Sequence, residues 1–407
     1  MNMTLVNDYT RIAVLGNVDA GKSTLIGRFL YEMDTVKSSA MREITEESQR
    51  LGRGIDFAHL LDSFEEERVG EKTIDTTQAF CKNKKGLFIF IDVPGHDELI
   101  KNLLTGSSCA DSVILVVDVR TGLDEQTKKH IAILNMLGLH NFVVAINKMD
   151  YVDFNILDFR RTKNQLTNYI NKLKCHIPVF IPISAINGDN LINISGKMRW
   201  YNGLTLLSVL NRFNNWIKEN LFRFSVQGVY GSDKHTIIAG RVLTGRIKKN
   251  DAVYVLPEKK AYSIKSIRVF NKSKKTAYAG ESIGLILKGN IRLGRGNVIC
   301  KSPFPKTGKL LRVKIFSLSK IEKHRTFIFN SLCQESKAWV SKIIKNDYTA
   351  EDSKCYCADY LVRNEIGEVE IILKNDIVYE KFSCHNQLGR FILKDNLGIV
   401  SAFGIIL

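Results

Sequence analysis

Residues 11–32 read RIAVLGNVDAGKSTLIGRFLYE, and this stretch decides the fold of the first half of the chain. The apolar run RIAVLG is typical of a buried strand, and TLIGRFLYEM has the apolar spacing of a helix. Between them, Gly16 to Ser23 match the pattern GxxxxGKS. Its glycines let backbone N–H groups turn toward a phosphate at the positive end of the helix. The stretch predicts a strand, a phosphate-binding loop and a helix, with a plain glycine turn as the alternative.

Each residue of this loop is a candidate nucleotide ligand. The Lys22 ammonium can reach the β- and γ-phosphates of a triphosphate, and the Ser23 hydroxyl can bind Mg²⁺. The other candidates surround these two, and we expect their backbone N–H groups to face the phosphates: Gly16, Asn17, Val18, Asp19, Ala20, Gly21 and Thr24.

A second motif follows the strand-like run FIFID. It reads Asp92-Val93-Pro94-Gly95-His96. A carboxylate at the end of a strand can hold a Mg²⁺-bound water, and a glycine amide beside it can sense the terminal phosphate. We therefore treat all five residues as candidate nucleotide ligands and Asp92, with Ser23, as a candidate metal ligand.

A third motif follows the strand-like run NFVVAI and reads Asn147-Lys148-Met149-Asp150. The Asp150 carboxylate can accept hydrogen bonds from N1 and N2 of guanine, an edge that adenine does not offer. Asn147 would hold the loop in place, and Lys148 would lie along the purine. The alternative for this short motif is a strand-to-helix turn with a capping aspartate.

A fourth motif, Ser184-Ala185, follows the run PVFIPI, and its backbone could donate to O6 of guanine. All four motifs come at the carboxyl ends of strand-like runs, and in parallel sheets these ends share one edge. Together they predict a site for GTP with Mg²⁺.

The pattern of apolar runs predicts three domains. Runs separated by helix-compatible stretches occupy residues 1–220, which is typical of an α/β P-loop domain with a mostly parallel sheet. After Trp216, short alternating segments punctuated by Gly, Asn and Asp are typical of all-β barrels. The stretch KSPFPKTGKLL reads as a linker. We therefore expect one barrel over 221–305 and a second over 306–407.

Composition excludes several classes of protein. At 407 residues, with 44% hydrophobic and 25% charged residues, the chain is neither a disulfide-stapled miniprotein nor disordered throughout. The first residues lack the pattern of a secretory signal, and no apolar run approaches the length of a membrane span. The eight cysteines include no CxxC pair. We expect reduced thiols, a cytoplasmic location and no membrane partner.

Charge separates the two halves of the chain. Residues 1–220 contain 26 Lys and Arg against 26 Asp and Glu, whereas 221–407 contain 33 against 16. The net charge of +17 therefore belongs to the second half. Such a basic surface favours an acidic protein, a nucleic acid or another polyanion as partner, and a well-solvated lysine-rich face is the alternative.

The motifs GNVDAGKS, DVPGH, NKMD and SA resemble those of the translational GTPase superfamily. Within it, several segments resemble the GTP-hydrolysing large subunit of bacterial sulfate adenylyltransferase. These segments are LLDSFEEERVGEKTIDT, NLLTGSSCADSVILVVDVRTGLDEQTKKH, NKMDYVDF, PISAINGDNL and MRWYNGLTLL. The resemblance is dense over the first 220 residues and looser through the barrels.

The resemblance implies roles for particular residues. Thr73 falls where this family keeps its first switch, and its hydroxyl would complete the Mg²⁺ shell. His96 is similar to the residue that orients the attacking water, with a histidine packed under a loop as the alternative. With Lys22 and the Gly95 amide, these two form the candidate catalytic set.

The resemblance also implies a function and partners. GTP hydrolysis would drive formation of adenylylsulfate and pyrophosphate from ATP and sulfate on a separate small catalytic subunit. An adenylylsulfate kinase of the same pathway is a further candidate partner. The alternative is a GTPase similar to translation elongation or release factors, which binds tRNA or a partner protein; we weigh nucleic acid as the less favoured partner.

Overall fold

The computed structural model describes most of the chain in two compact units, one with the described residues up to 213 and one with those from 221 onward. The described residues are 9–33, 57, 78–83, 86–92, 112–138, 142–173, 176–213, 221–231, 236–269, 272–289, 292–347 and 354–407.

The first unit contains a six-stranded sheet whose order is β2-β3-β1-β4-β5-β6. Its strands are β1 (Tyr9–Gly16), β2 (Gln78–Asn83), β3 (Gly86–Asp92), β4 (Ser112–Asp118), β5 (Phe142–Asn147) and β6 (Val179–Pro182). Only β2 is antiparallel to its neighbour, β3, and the other pairs are parallel. This confirms the mostly parallel sheet that the apolar runs predict.

Four α-helices occur in the described part of this unit: α1 (Lys22–Glu32), α2 (Glu125–Met136), α3 (Ile156–Lys172) and α4 (Leu206–Leu210). A 3₁₀ helix spans Met149–Val152. Side-chain caps begin three of these helices: Asp124 accepts from Thr127 N at 2.7 Å, Asn155 from Leu157 N at 2.8 Å and Thr205 from Ser208 N at 3.3 Å. Among the described residues, no helix is both long enough and apolar enough to cross a bilayer.

The core of this unit lies between the sheet and its helices. Every residue of β4 and β5 is buried, which is why these runs read as continuously apolar rather than alternating. On α1, Phe29 packs edge-on against Phe90 of β3, with 5.1 Å between ring centroids. The carboxyl ends of β1, β4, β5 and β6 share one edge, where Asp118 pairs with Asn147 in register.

The second unit begins with a closed six-stranded antiparallel barrel, ordered β10-β15-β7-β8-β14-β11 and closed by the β10–β11 pairing. Its strands are β7 (Arg223–Tyr230), β8 (Ile237–Thr244), β10 (Ala252–Leu256), β11 (Lys260–Val269), β14 (Ser282–Leu287) and β15 (Val298–Cys300). Shorter strands flank it: β9 (Arg246–Lys248), β12 (Lys272–Lys274) and β13 (Thr276–Tyr278).

A second closed antiparallel barrel follows, ordered β18-β23-β24-β16-β22-β19 and closed by the β18–β19 pairing. Its strands are β16 (Lys306–Ser317), β18 (Thr326–Ser331), β19 (Gln334–Asp347), β22 (Ile366–Tyr379), β23 (Arg390–Lys394) and β24 (Val400–Ile406). Short strands accompany it: β17 (Ile321–Glu322), β20 (Lys354–Ala358) and β21 (Tyr360–Leu361). Two all-β barrels after one α/β domain match the predicted fold class.

One part of the predicted linker is wrong. KTGKLL already belongs to β16, which starts at Lys306 directly after Pro305. A register shift between Gly308 and Leu310 interrupts the pairing of this strand with β22. Because the shift breaks the alternation of buried and exposed positions, the sequence here does not show the period of a strand.

The two barrels share an apolar cluster. Leu243, Leu256 and Val298 of the first barrel pack with Val378 and Leu388 of the second. A polar contact lies beside it, because the buried Arg223 donates to Glu380 Oε1 at 2.7 Å. The barrels therefore form one unit with a continuous interior at their junction.

Candidate nucleotide site

The phosphate loop curls around the Lys22 ammonium. Its Nζ donates to the carbonyl oxygens of Gly16 at 3.1 Å and Asn17 at 2.9 Å. Burial lowers the pKa of Lys22 below its ordinary value, and the negative charges of Asp92 and Asp19 act in the opposite direction. The loop thus holds a half-buried cation at the end of β1, where a polyphosphate can meet it.

Gly21 occupies the turn from this loop into α1. Its φ of +89° lies in the left-handed region, and a Cβ atom there would lie 2.5 Å from Asn147 Nδ2. Both the backbone conformation and the space therefore require glycine.

Ser23 and Asp92 are in contact at the start of α1. The Ser23 hydroxyl donates to Asp92 Oδ2 at 3.0 Å, which joins the phosphate loop to the end of β3. The structure therefore brings together two of the three predicted metal ligands. The third, Thr73, lies outside the described residues, as do Val93, Pro94, Gly95 and His96. Among the residues that are described, no group of three His, Cys, Asp or Glu side chains could hold a metal ion.

Asn147 links three loops. Its Nδ2 donates to the carbonyl of Ala20 at 2.8 Å, and its Oδ1 accepts from the Ala185 amide at 2.9 Å. The side chain is 2% exposed, so both hydrogen bonds are shielded from water. The Ala185 amide, which the sequence suggested as a donor to guanine O6, thus has an acceptor within the protein.

Asp150 is half-buried and lies next to Ser184. The buried Ser184 hydroxyl donates to Asp150 Oδ1 at 2.6 Å. The backbone behind this contact is fixed by the Met149 amide, which donates to Ile183 O at 3.2 Å. The second carboxylate oxygen of Asp150 and its remaining lone pairs are oriented by this arrangement.

Lys148 is held by a residue that the motif analysis missed. Its Nζ lies 3.0 Å from Asp118 Oδ2, and its backbone is left-handed, with φ of +65°. Arg120 also donates to Asp118, at 2.6 Å through Nη2. Burial opposes ionisation of Asp118, but the hydrogen bonds from Arg120 and Lys148 outweigh it, and the pKa of Asp118 is lowered.

A signal for Asp118 was present in the sequence. It ends the apolar run SVILVVD, just as Asp92 ends FIFID and Asn147 ends NFVVAI. Of the remaining predicted loop residues, Val18 and Asp19 are exposed, Asn17 and Thr24 are half-buried, and Ala20 is buried. The Asn17 side chain contacts the carboxylate of Asp124.

Family models match three consecutive parts of the chain. The model described as elongation factor Tu GTP binding domain matches residues 7–219. Elongation factor Tu domain 2 matches 235–300, and the eEF1A C-terminal domain-like model matches 310–407. These three matches show a GTP-binding protein of the elongation factor Tu type.

Curated relatives match almost the whole chain. Sulfate adenylyltransferase subunit 1 of Alteromonas mediterranea is 31% identical over 98% of this chain and 87% of its own. The protein of that name from Aliarcobacter butzleri is 33% identical over 95% and 84%. The chain belongs to the family of sulfate adenylyltransferase subunit 1. Among solved structures, sup35 complexed with GDP is similar at a TM-score of 0.44 and 21% identity, covering 100% of this chain and 97% of that one.

Proposed function

We propose that this chain is the GTPase subunit of a sulfate adenylyltransferase. It would hydrolyse GTP to drive the formation of adenylylsulfate and pyrophosphate from ATP and sulfate on a separate small subunit. The proposal rests on one observation: 98% of this chain aligns, at 31% identity, with a protein named sulfate adenylyltransferase subunit 1. Formation of the anhydride between phosphate and sulfate is thermodynamically unfavourable. Coupled hydrolysis of GTP would supply the free energy for it.

The phosphate side of the site suits a Mg²⁺-bound triphosphate. Ser23 Oγ and Asp92 Oδ2 lie 3.0 Å apart and are hard oxygen ligands of the kind that Mg²⁺ prefers. These two residues, with Thr73, would hold the ion, which when bound would neutralise charge on the phosphate oxygens. Lys22 would exchange its contacts with the Gly16 and Asn17 carbonyls for phosphate oxygens.

The base side suits guanine. The Ser184 hydroxyl satisfies one lone pair of Asp150 Oδ1, and the carboxylate retains acceptors for the two donors on the guanine edge. The Asp118 carboxylate holds the Lys148 ammonium, so that the lysine stem can lie along the purine face. Asn147 would keep the base loop and the phosphate loop at a constant separation.

Hydrolysis would depend on residues beyond those described. His96 would orient the attacking water, and the Gly95 amide and Thr73 would contact the γ-phosphate. These groups act by positioning and by charge, so the small subunit can complete the site. Such completion can accelerate hydrolysis about 10³- to 10⁵-fold. We therefore expect slow turnover by the isolated chain and faster turnover with its partner.

A translation factor is the rival function. The lysine-rich barrels suit binding to phosphates of tRNA, and such binding would weaken steeply as salt rises. The relatives that match nearly the full length are named for sulfate adenylyltransferase, which favours the main proposal.

The decisive experiment reconstitutes the chain with the small subunit and measures pyrophosphate release from ATP and sulfate. We expect release to require GTP and to fall when GTP is replaced by a non-hydrolysable analogue. Release at the same rate without GTP would refute the proposal. Retention of aminoacyl-tRNA at low salt, without any GTP-dependent pyrophosphate release, would favour the rival.

A further inference from the structure

The chain immediately after the Asn-Lys-Met-Asp motif makes an unusual turn. Asp153 and Phe154 are consecutive residues in the left-handed region, with φ of +48° and +56°. Neither is glycine, so this conformation needs support from other residues. Within the turn, the Phe154 amide donates to Met149 O at 2.8 Å, which ties it directly to the motif.

That support comes from the segment Met-Arg-Trp-Tyr, far along the chain. The indole Nε1 of Trp200 donates to the carbonyl oxygen of Phe154 at 2.9 Å. The indole ring packs on Phe159 of α3, with 5.3 Å between centroids, and Phe159 is 6% exposed. Because α3 is anchored in the core, the Trp200 ring is a fixed donor for the Phe154 carbonyl.

A second contact to Phe154 comes from Lys197. Its Nζ lies 4.9 Å from the centroid of the Phe154 ring and 3.6 Å from Asp189 Oδ2. Asp189 also accepts from the Ser184 amide through its carbonyl oxygen, at 3.4 Å. The segment 197–200 is therefore connected to the loop that carries Ser184.

These contacts connect Asp150 to the Phe154 turn by a second route, through Ser184, Asp189 and Lys197. Ser184 holds the Asp150 carboxylate at 2.6 Å, and Trp200 holds the turn that follows it. A carboxylate recognises two donors at once only when its direction is set, since hydrogen bonds weaken steeply with angle. If Phe154 lost its indole partner, the turn could relax and Asp150 would rotate away from the base.

We propose that Trp200, assisted by Lys197, is a positioning residue that sets guanine specificity through Phe154. This inference rests on the proposed recognition of guanine by Asp150. It predicts a readout that a purely stabilising residue would not move, namely the ratio of IDP to GDP dissociation constants. Hypoxanthine lacks the 2-amino group, so displacement of Asp150 costs guanine two contacts and hypoxanthine one.

The test compares Trp200→Phe with Asp150→Asn in the full-length protein. Trp200→Phe keeps a ring on Phe159 and removes the N–H. We expect its GDP dissociation constant to rise about two- to tenfold, the range for one net hydrogen bond, with a smaller rise for IDP. The ratio of IDP to GDP dissociation constants should therefore fall.

Controls separate the possible failures. Trp339→Phe makes the same substitution at a half-buried tryptophan of the second barrel and should leave the ratio unchanged. Lys197→Met keeps nearly the same side-chain length and removes the charge. Because the Lys197 side chain is 54% exposed, this is a second variant should Trp200→Phe not fold. It should lower the ratio in the same direction.

The result for Asp150→Asn decides what a negative outcome means. If Asp150→Asn changes the ratio and both Trp200→Phe and Lys197→Met leave it at the original value, the positioning role is wrong. If Asp150→Asn itself leaves the ratio unchanged, the recognition of guanine by Asp150 is wrong, and the inference falls with it.

Discussion

Gly21 and Asn147 lie so close that no side chain fits between them: a Cβ atom on Gly21 would be 2.5 Å from Asn147 Nδ2. The same Asn147 nitrogen donates to the carbonyl of the preceding residue, Ala20. The loop for the phosphates and the loop for the base are therefore joined by one amide group.

Gly21→Ala should weaken nucleotide binding. The added Cβ meets Asn147, and a left-handed conformation costs a residue with a Cβ atom about 1–2 kcal/mol. We expect the dissociation constant of GDP, measured by titration calorimetry, to rise about tenfold. Gly138→Ala is the matched control, because Gly138 has φ of +57° with nothing within 4 Å. It should lower stability slightly and leave GDP affinity unchanged; equal losses of affinity in both variants would contradict this explanation.

Asp150→Asn should change base preference from GTP toward XTP. The amide replaces one carboxylate oxygen by a donor, which matches the carbonyl at position 2 of xanthine. Its remaining oxygen can still accept from Ser184, so the loop is expected to keep its shape. Competition between GTP and XTP measures the change. Asp153→Asn, three residues away and exposed, is the control that should keep the preference for GTP.

His96→Ala should separate binding from hydrolysis. The side chain is proposed to act on water rather than on bound phosphates. We therefore expect GTP affinity to stay within a few-fold while single-turnover hydrolysis slows. A loss of affinity as large as the loss of rate would make His96 a structural residue.

Glu380→Gln should destabilise the junction of the two barrels. The Arg223 side chain is 1% exposed and donates to Glu380 at 2.7 Å. Because the substitution removes the counter-charge and leaves the guanidinium buried, we expect unfolding to become easier by about 3 kcal/mol in denaturant titrations. Glu322→Gln makes the same substitution at the exposed pair with Lys320, where we expect no measurable change in the free energy of unfolding.

His385 should make stability depend on pH. Burial lowers its pKa to about 4 in the folded protein, despite the opposing charge of Glu380. Its Nδ1 accepts from the Leu388 amide at 3.1 Å, and its Nε2 lies 3.3 Å from the Thr244 hydroxyl. That hydroxyl donates to Leu221 O at 2.6 Å, so Nε2 carries the proton and Nδ1 has none. Protonation of Nδ1 would place its N–H opposite the Leu388 N–H, so that two donors would face each other without an acceptor.

The direction of the pH effect follows from the difference between the His385 pKa of about 4 in the folded protein and the ordinary value of about 6.5 in the unfolded chain. Above about pH 6.5 the ring is neutral in both states, and its contribution to stability is complete. As the pH falls toward 4, the unfolded chain binds a proton that the folded chain does not, so stability is lost. The loss should reach about 2 kcal/mol by pH 5. His385→Asn keeps an acceptor for Leu388, and its stability should change less across this range; an identical pH profile would rule out His385 as the cause.

Much of the fold was predictable because its central strands are long and apolar. Three apolar runs are correctly predicted to be buried strands of a parallel sheet: RIAVLG, SVILVVD and NFVVAIN. Strands of two or three residues, such as β9, β13, β17 and β21, were not predictable, because they are too short to show a period.

The class of site was predictable from the sequence, since the phosphate loop and the guanine motif are each a short continuous stretch whose residue types carry the chemistry. The sequence also determined the sheet and the change to all-β structure. The tertiary structure alone decided which distant groups support the site and the barrels. It places Lys148 beside Asp118, Phe154 beside Trp200, and Arg223 beside Glu380, which is 157 residues away in the chain. Such pairs depend on which strand ends and barrel surfaces adjoin, and no local pattern of residues encodes that adjacency.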